Sequence, residues 1–309
     1  MSSLYLKYRP SSLDEFYGNA SLVSTLKGML KDMEKMPHSF LFHGPTGCGK
    51  TTLARIVASE LGCAENNIVE IDTAQFRGID TVRDLRKNCQ FTPLGGGVRV
   101  YIIDEVHKMT GDAQNAFLKI LEDTPSHIYF ILCTTDPQSL LPTIKGRCSQ
   151  FQVAQLTDTQ MEKLLLEVTE KEGEPDFGNK YGEVLTQIIQ DSQGHPRNAL
   201  QILDQVLATP PKRRLKIAQQ AAVEQSESIA LCRALIKGES WAKVNTILKG
   251  LKGQDAEGIR RVVIGYASSV LLSSDNERAG LILECFSEPT YNMGFPQIVL
   301  NAYQVIKGE

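Results

Sequence analysis

The stretch SFLFHGPTGCGKTTLARIVASEL, residues 39–61, decides the fold. A short apolar run, SFLFH, leads into a glycine-rich turn, and the turn opens directly into the helical run TTLARIVASEL. Gly44, Gly49, Lys50 and Thr51 fill the pattern G-x-x-x-x-G-K-[ST], with Pro45, Thr46, Gly47 and Cys48 between them and Thr52 after. A phosphate chain needs inward-pointing backbone N–H groups, a helix N-terminus behind them, a lysine for the terminal phosphates and a hydroxyl for Mg²⁺. All four are supplied here. A chance match in a glycine-rich turn would lack the strand before and the helix after, so the setting carries more weight than the pattern.

Working outward, NNIVEID, VRVYIID, HIYFILC and SQFQV repeat the strand character of SFLFH between residues 66 and 153, with helical patterns between them. Strands alternating with helices imply a parallel sheet covered on both faces, an α/β unit. VRVYIIDEVHK ends its apolar run in Asp104 and Glu105, placing two carboxylates at the carboxyl edge of a strand, where open α/β sheets bind ligands. Asp104 would position Mg²⁺ through water and Glu105 would polarise the attacking water. Two acids ending a strand are weak evidence alone and strong evidence some fifty residues after a phosphate loop. The substrate expected is ATP.

At LTDTQMEKLLLEV the pattern changes to helix after helix: Thr157 and Gln160 fit a capping box, and Met161, Leu164, Leu165 and Val168 recur at helical spacing. Pro210 and Pro211 close that unit, and the basic cluster after them reads as a linker or a solvated helix start. Beyond residue 217, SIALCRALI, AKVNTILKGL, IRRVVIGYASSVLL and FPQIVLNAYQVI are the clearest helical segments. The expected domains are 1–154, nucleotide binding; 155–209, a small helical unit; and 210–309, a second all-helical unit.

Chain-level features exclude several classes. No apolar run approaches the roughly 20 residues that span a bilayer, and MSSLYLKYRP lacks a secretory layout, so an intracellular protein without membrane partners is expected. Seven scattered cysteines, with no CxxC pair, argue against a disulfide framework and a zinc module. A net charge of −3 gives no global attraction to nucleic acid, so such binding must come from a local surface or from several subunits together.

With the two motifs placed, the chain resembles the AAA+ ATPases, and among them the clamp-loader subunits: bacterial DNA polymerase III gamma/tau and the small subunits of replication factor C. LYLKYRPSSLDEFYGN, YIIDEVHKMTGDAQNAFLKILEDTP, FILCTTDP and GRCSQF carry the likeness, which runs from residue 4 to about 208. The resemblance implies an AAA+ P-loop domain with a five-stranded parallel sheet, a helical lid and a helical collar for oligomerisation. Tyr8, Arg9 and Pro10 would border the nucleotide, and Thr134 or Thr135 would be the first sensor of the γ-phosphate. Capping of the turn begun by Pro137 is the alternative for either hydroxyl. Arg197 would be the second sensor; it follows Pro196 in a first helical turn, where a cation is disfavoured by roughly 0.3 to 1 kcal/mol unless an anion is near.

Arg147 would act in trans, as an arginine finger on a neighbour's ATP. Arg83, on a helix with Asp80, Asp84, Arg86 and Lys87, fits contact with the DNA backbone or plain intrahelical pairing, and the resemblance favours DNA. The implied partners are other clamp-loader subunits in a pentameric ring or spiral, a sliding clamp and primer-template DNA; the implied site in the cell, for a bacterial or phage protein, is the nucleoid-associated cytoplasm. Two departures stand out. Gamma subunits insert a cysteine zinc module after the first helix, whereas only Cys63 precedes NNIVEID here, so no zinc is expected, and Gly146 replaces the family's serine before Arg147. Two rival readings are a branch-migration or helicase-type AAA+ motor and a subunit that binds nucleotide without hydrolysing it.

Overall fold

A computed structural model describes residues 3–32, 35–73, 78–93, 96–218, 227–253, 256–290 and 293–308. Strands β1 (Ser39–His43), β2 (Ile68–Asp72), β3 (Arg99–Asp104), β4 (Ile128–Thr134) and β5 (Ser149–Gln152) form a parallel sheet in the order β2-β3-β4-β1-β5. Its register is anchored by Phe40 opposite Ile131 and Ile103 opposite Leu132. Alternate residues feed two cores. Phe40, Phe42, Val100, Ile102, Ile131 and Cys133 enter one with Leu53, Ile56 and Val57; Leu41, Tyr101, Ile103, Phe130 and Leu132 enter the other with Val82, Phe117 and Ile144. Both faces are buried, so the strands read as continuous apolar runs, and each fully buried large side chain contributes about 1.5–3 kcal/mol.

The helices are α1 (Leu4–Lys7), α2 (Ala20–Met29), α3 (Lys50–Glu60), α4 (Ile79–Cys89), α5 (Gly111–Glu122), α6 (Pro142–Arg147), α7 (Asp158–Lys171), α8 (Phe177–Lys180), α9 (Gly182–Ser192) and α10 (Pro196–Leu207). Further helices span Glu227–Lys237, Trp241–Leu251, Ala256–Ser273, Glu277–Cys285 and Phe295–Lys307. Sequence reading did not single out Ala20–Met29 or Glu277–Cys285. The capping box ahead of α7 forms in both directions: Thr157 N–H donates to Gln160 Oε1 at 3.1 Å and Gln160 N–H to Thr157 Oγ1 at 3.3 Å.

Residues 6–160 with 195–197 form one compact unit, which holds the sheet, and the helices beyond α6 lie in a second, apart from the first residues of α7 and of α10. Three buried charges of the second unit are paired within it. Arg214 is 5% exposed, donates to both carboxylate oxygens of Glu174 at 2.5 Å, and stacks 4.7 Å from the Tyr181 ring centroid. Arg214 alone departs from the expected linker or solvated helix start, since Lys212 and Arg213 are exposed, and the carboxylate that draws it inward lies forty residues earlier. Asp191, fully buried, pairs with Arg233 and accepts from Gln187 Nε2 at 2.8 Å; burial pushes its carboxyl above the ordinary range. Glu257 accepts from Arg260 and, at 3.0 Å, from the N–H and hydroxyl of Thr290, and the Arg260 bonds lead in holding it down to about 2.

Candidate nucleotide site

The sheet order changes direction at β1, with β4 on one side and β5 on the other, and the phosphate loop leaves the carboxyl end of that strand. Such a switch point opens a crevice for a ligand. At two loop glycines a side chain is blocked or strained. A Cβ on Gly44, at φ 148°, would lie 2.1 Å from the Val153 carbonyl oxygen, and one on Gly49, at φ 96°, 3.2 Å from the Phe16 ring. Gly49 is also the N-cap of α3, so the first N–H groups of that helix open toward the loop.

Lys50, 6% exposed, donates from Nζ to the carbonyls of Gly44 at 2.9 Å and Pro45 at 2.8 Å. Burial lowers its pKa, which marks a cation short of solvation. Thr51 Oγ1 donates to Asp104 Oδ2 at 2.8 Å, joining the start of α3 to the end of β3. This hydroxyl and carboxylate form an all-oxygen donor pair, the kind a hard cation such as Mg²⁺ takes together with phosphate oxygens. The cleft is lined by Thr46, Gly47, Gly49, Lys50, Thr51, Thr52, Asp104, Glu105 and Arg197, a mostly polar wall suited to a magnesium nucleotide.

Glu105 has a left-handed backbone, φ 51° and ψ 37°, which costs a non-glycine residue roughly 1–2 kcal/mol. Several bonds hold it there. Its N–H donates to Asp104 Oδ1 at 3.0 Å, while its carbonyl accepts from Lys108 N–H at 2.8 Å and from Thr73 Oγ1 at 2.5 Å. Thr73, fully buried, also donates to the Asp104 carbonyl at 2.9 Å, so one hydroxyl at the end of β2 braces both acids. Sequence reading missed Thr73, and its only trace there is a hydroxyl directly after IVEID.

The two sensor candidates separate. Thr134 is fully buried at the end of β4, accepts from Asp136 N–H at 3.0 Å and meets His107 Nδ1 at 3.0 Å; Thr135 donates to Glu105 Oε2 at 3.4 Å. Neither caps the following turn, because Asp136 does so by accepting from Gln138 N–H at 3.0 Å. Arg197 lines the cleft from the first turn of α10. Its neighbour His195 meets Cys48 Sγ at 3.5 Å, a contact that sequence reading also missed. Cys48 is buried, and its thiol is pushed up to about 11 by that burial, so it packs beneath the loop as a neutral group.

Other expected residues lie around the cleft rather than on its wall. Gly44 and Pro45 contribute the carbonyls that hold Lys50, and Arg9 Nε donates to Thr52 Oγ1 at 3.0 Å. Burial leads in lowering the Arg9 pKa, followed by the Arg55 charge. Tyr8 and Pro10 are half-buried beside it and are not among the lining residues. Arg147, at the end of α6, also lies outside that lining; it donates to the Thr143 carbonyl at 3.2 Å and pairs with Glu122, a partner not foreseen. A Cβ at Gly146 would meet nothing within 4 Å, so packing does not explain that glycine. Arg83 pairs with Asp80 at 2.9 Å, both exposed. Among the described residues no group of three or more His, Cys, Asp or Glu is arranged to hold a metal ion, and no helix is long and apolar enough to cross a membrane.

The family model described as DNA polymerase III, delta subunit, matches residues 67–157. The chain is 36% identical over 229 aligned positions to DNA polymerase III subunit gamma/tau of Mycobacterium tuberculosis, covering 67% of this chain and 39% of the relative. It is 30% identical over 258 positions to the tau subunit of Escherichia coli, 75% of this chain and 39% of the relative. The tau/gamma subunit of Haemophilus influenzae aligns with 97% of this chain and 46% of its own length at 28% identity. The chain thus spans less than half the length of these curated relatives. Among solved structures, the Thermotoga maritima RuvB Holliday junction branch migration motor superposes with a TM-score of 0.61 at 20% identity, covering 85% of this chain and 91% of that one, which is a likeness of fold. The phosphate loop, the acidic end of β3 and these matches make the chain a sequence relative of the DNA polymerase III gamma/tau subunits over about two thirds of its length.

Proposed function

We propose that this chain is an ATPase subunit of a sliding-clamp loader, in which ATP binding sets the arrangement of subunits that opens a ring-shaped clamp, and primer-template DNA triggers hydrolysis and release. One observation carries the reading: Lys50, Thr51, Asp104, Glu105 and Arg197 line one polar cleft, while Arg147 stands outside that lining. Loop N–H groups and Lys50 bind the β- and γ-phosphates, and Arg197 adds positive charge from the first turn of α10. Thr51 and Asp104 would hold Mg²⁺, which offsets charge on the phosphate oxygens when bound. Glu105 orients and polarises the attacking water. Thr135, donating to that carboxylate, fits the first-sensor role through its contact with Glu105, and Thr134 fits it through His107.

In this reading residues 155–209 serve as the lid and 210–309 as the collar of a pentameric ring or spiral, and zinc has no part. Arg147 supplies the trans charge that can be worth on the order of 10³ to 10⁵ in rate for phosphoryl transfer, which makes hydrolysis depend on assembly. It must exchange Glu122 for the neighbour's phosphate to do so. Arg83 exchanges Asp80 for a DNA phosphate in the same way. The RuvB likeness extends to fold alone, so a branch-migration motor is the weaker reading.

The deciding experiment mixes the full chain with candidate clamps and partner subunits and measures ATP turnover with and without primed DNA. Stimulation that needs both clamp and primed DNA is expected, and Lys50→Ala should remove it. ATP-driven unwinding with no clamp present would overturn the loading assignment. In mixed assemblies, Arg147→Ala should spare the chain's own nucleotide binding and slow hydrolysis next door.

A further inference from the structure

We propose that His107 is a positioning residue for ATP hydrolysis, linking the buried hydroxyl of Thr134 to the Glu105 carboxylate; this rests on the assignment of Glu105 as the water-polarising base. The imidazole lies between the two, with Nδ1 at 3.0 Å from Thr134 Oγ1 and Nε2 at 3.4 Å from Glu105 Oε2. Its side chain is 16% exposed, so protein rather than solvent fixes its orientation.

Donor and acceptor counting sets the direction of the bonds. Thr134 Oγ1 already accepts from Asp136 N–H at 3.0 Å, which leaves its proton to donate. A carboxylate facing Nε2 requires an N–H there, so in the neutral ring Nε2 carries the proton and Nδ1 accepts from Thr134. The hydrogen-bond chain then runs from Asp136 N–H to Thr134 and from Thr134 O–H to His107, whose Nε2 faces Glu105 Oε2 at ion-pair range. Thr135 Oγ1 reaches the same oxygen at 3.4 Å. The Thr135 hydrogen bond and the facing His107 Nε2 therefore hold Oε2 and leave Oε1 to take the water's hydrogen. His107 thereby ties the base to β4, the strand between the acidic end of β3 and the phosphate-loop strand.

The test uses the full chain, assembled with whatever partners its turnover requires, and reads kcat, KM for ATP and nucleotide Kd separately. His107→Ala should lower kcat by about 10- to 100-fold, the scale of a lost orienting bond, with nucleotide Kd within about twofold. His107→Gln, whose amide N–H can replace Nε2–H, should recover most of that loss, and His107→Asn, which reaches only the Nδ1 position, should not. In a Glu105→Gln background, His107→Ala should change the residual rate by less than about twofold, because it acts through the group already removed. An unchanged kcat in His107→Ala beside an inactive Glu105→Gln would overturn the proposal and leave the base standing. Full turnover in Glu105→Gln would overturn both. Equal losses in all three histidine variants, with matching losses of melting temperature, would reduce His107 to packing and also overturn it.

Discussion

The carboxyl edge of the sheet and the helical unit both bury charge, in opposite ways. In the helical unit, Arg214 meets Glu174 through two bonds and Arg233 meets Asp191, so each guanidinium is matched to a carboxylate. At the sheet edge Lys50 is as buried as Arg214, yet its ammonium is held by two neutral carbonyls. A cation matched to a carboxylate has its field cancelled locally. One held by carbonyls keeps its charge to offer to an anion. The same burial therefore closes a charge in one place and, in the reading proposed above, leaves one for a phosphate in the other.

Lys50→Ala tests the open half of this contrast and should have the largest effect: ATP turnover should fall by about 10²- to 10³-fold, as for loss of a preorganised electrostatic donor, with the melting midpoint little changed. A loss of fold equal to the loss of rate would erase the distinction. Arg214→Ala tests the closed half. It strands the Glu174 carboxylate and should destabilise the helical unit by about 3 kcal/mol in chemical denaturation, whereas replacing both partners by methionine should restore much of that.

Glu257 sharpens the contrast with pH. Its carboxyl is held near 2, below the ordinary 4.5, so its stabilisation is fully present above about 4.5 and is lost as pH falls toward 2. Denaturation of Glu257→Gln against the parent chain should show a difference on the order of 2 to 3 kcal/mol near neutrality that shrinks across that acid window. A pH-independent gap would assign the effect to packing. The smallest change belongs to an exposed pair: Arg83→Ala should alter stability by less than about 0.5 kcal/mol. If Arg83 contacts DNA, the same variant should reduce the salt dependence of DNA-stimulated turnover by about one phosphate's worth.

The sheet and the phosphate loop were legible because a strand buried on both faces must be apolar throughout, and a loop that wraps phosphate must be rich in glycine. Lys50, Thr51, Asp104 and Glu105 follow from that pattern. What brings Thr73 and His107 to Glu105 is the register of β2, β3 and β4, and register is a property of paired strands that no single run displays. Arg214 and Arg147 were harder for a related reason. Each reads as a surface cation until its carboxylate, forty and twenty-five residues earlier, is seen beside it. The choice between Thr134 and Thr135 was likewise open in TTDP, and it turns on which hydroxyl β4 carries into the interior.

Gly44 gives the phosphate-loop pattern a different first letter from the one usually read into it. The atom that forbids a side chain there is the carbonyl oxygen of Val153, just past β5, and the conflict is with the chain's own backbone. In a saturation library at position 44, variants would be eliminated during synthesis and folding, before any nucleotide was encountered. Selection for solubility alone, with no demand for activity, should return glycine there, while the same selection at Lys50 should accept many residues.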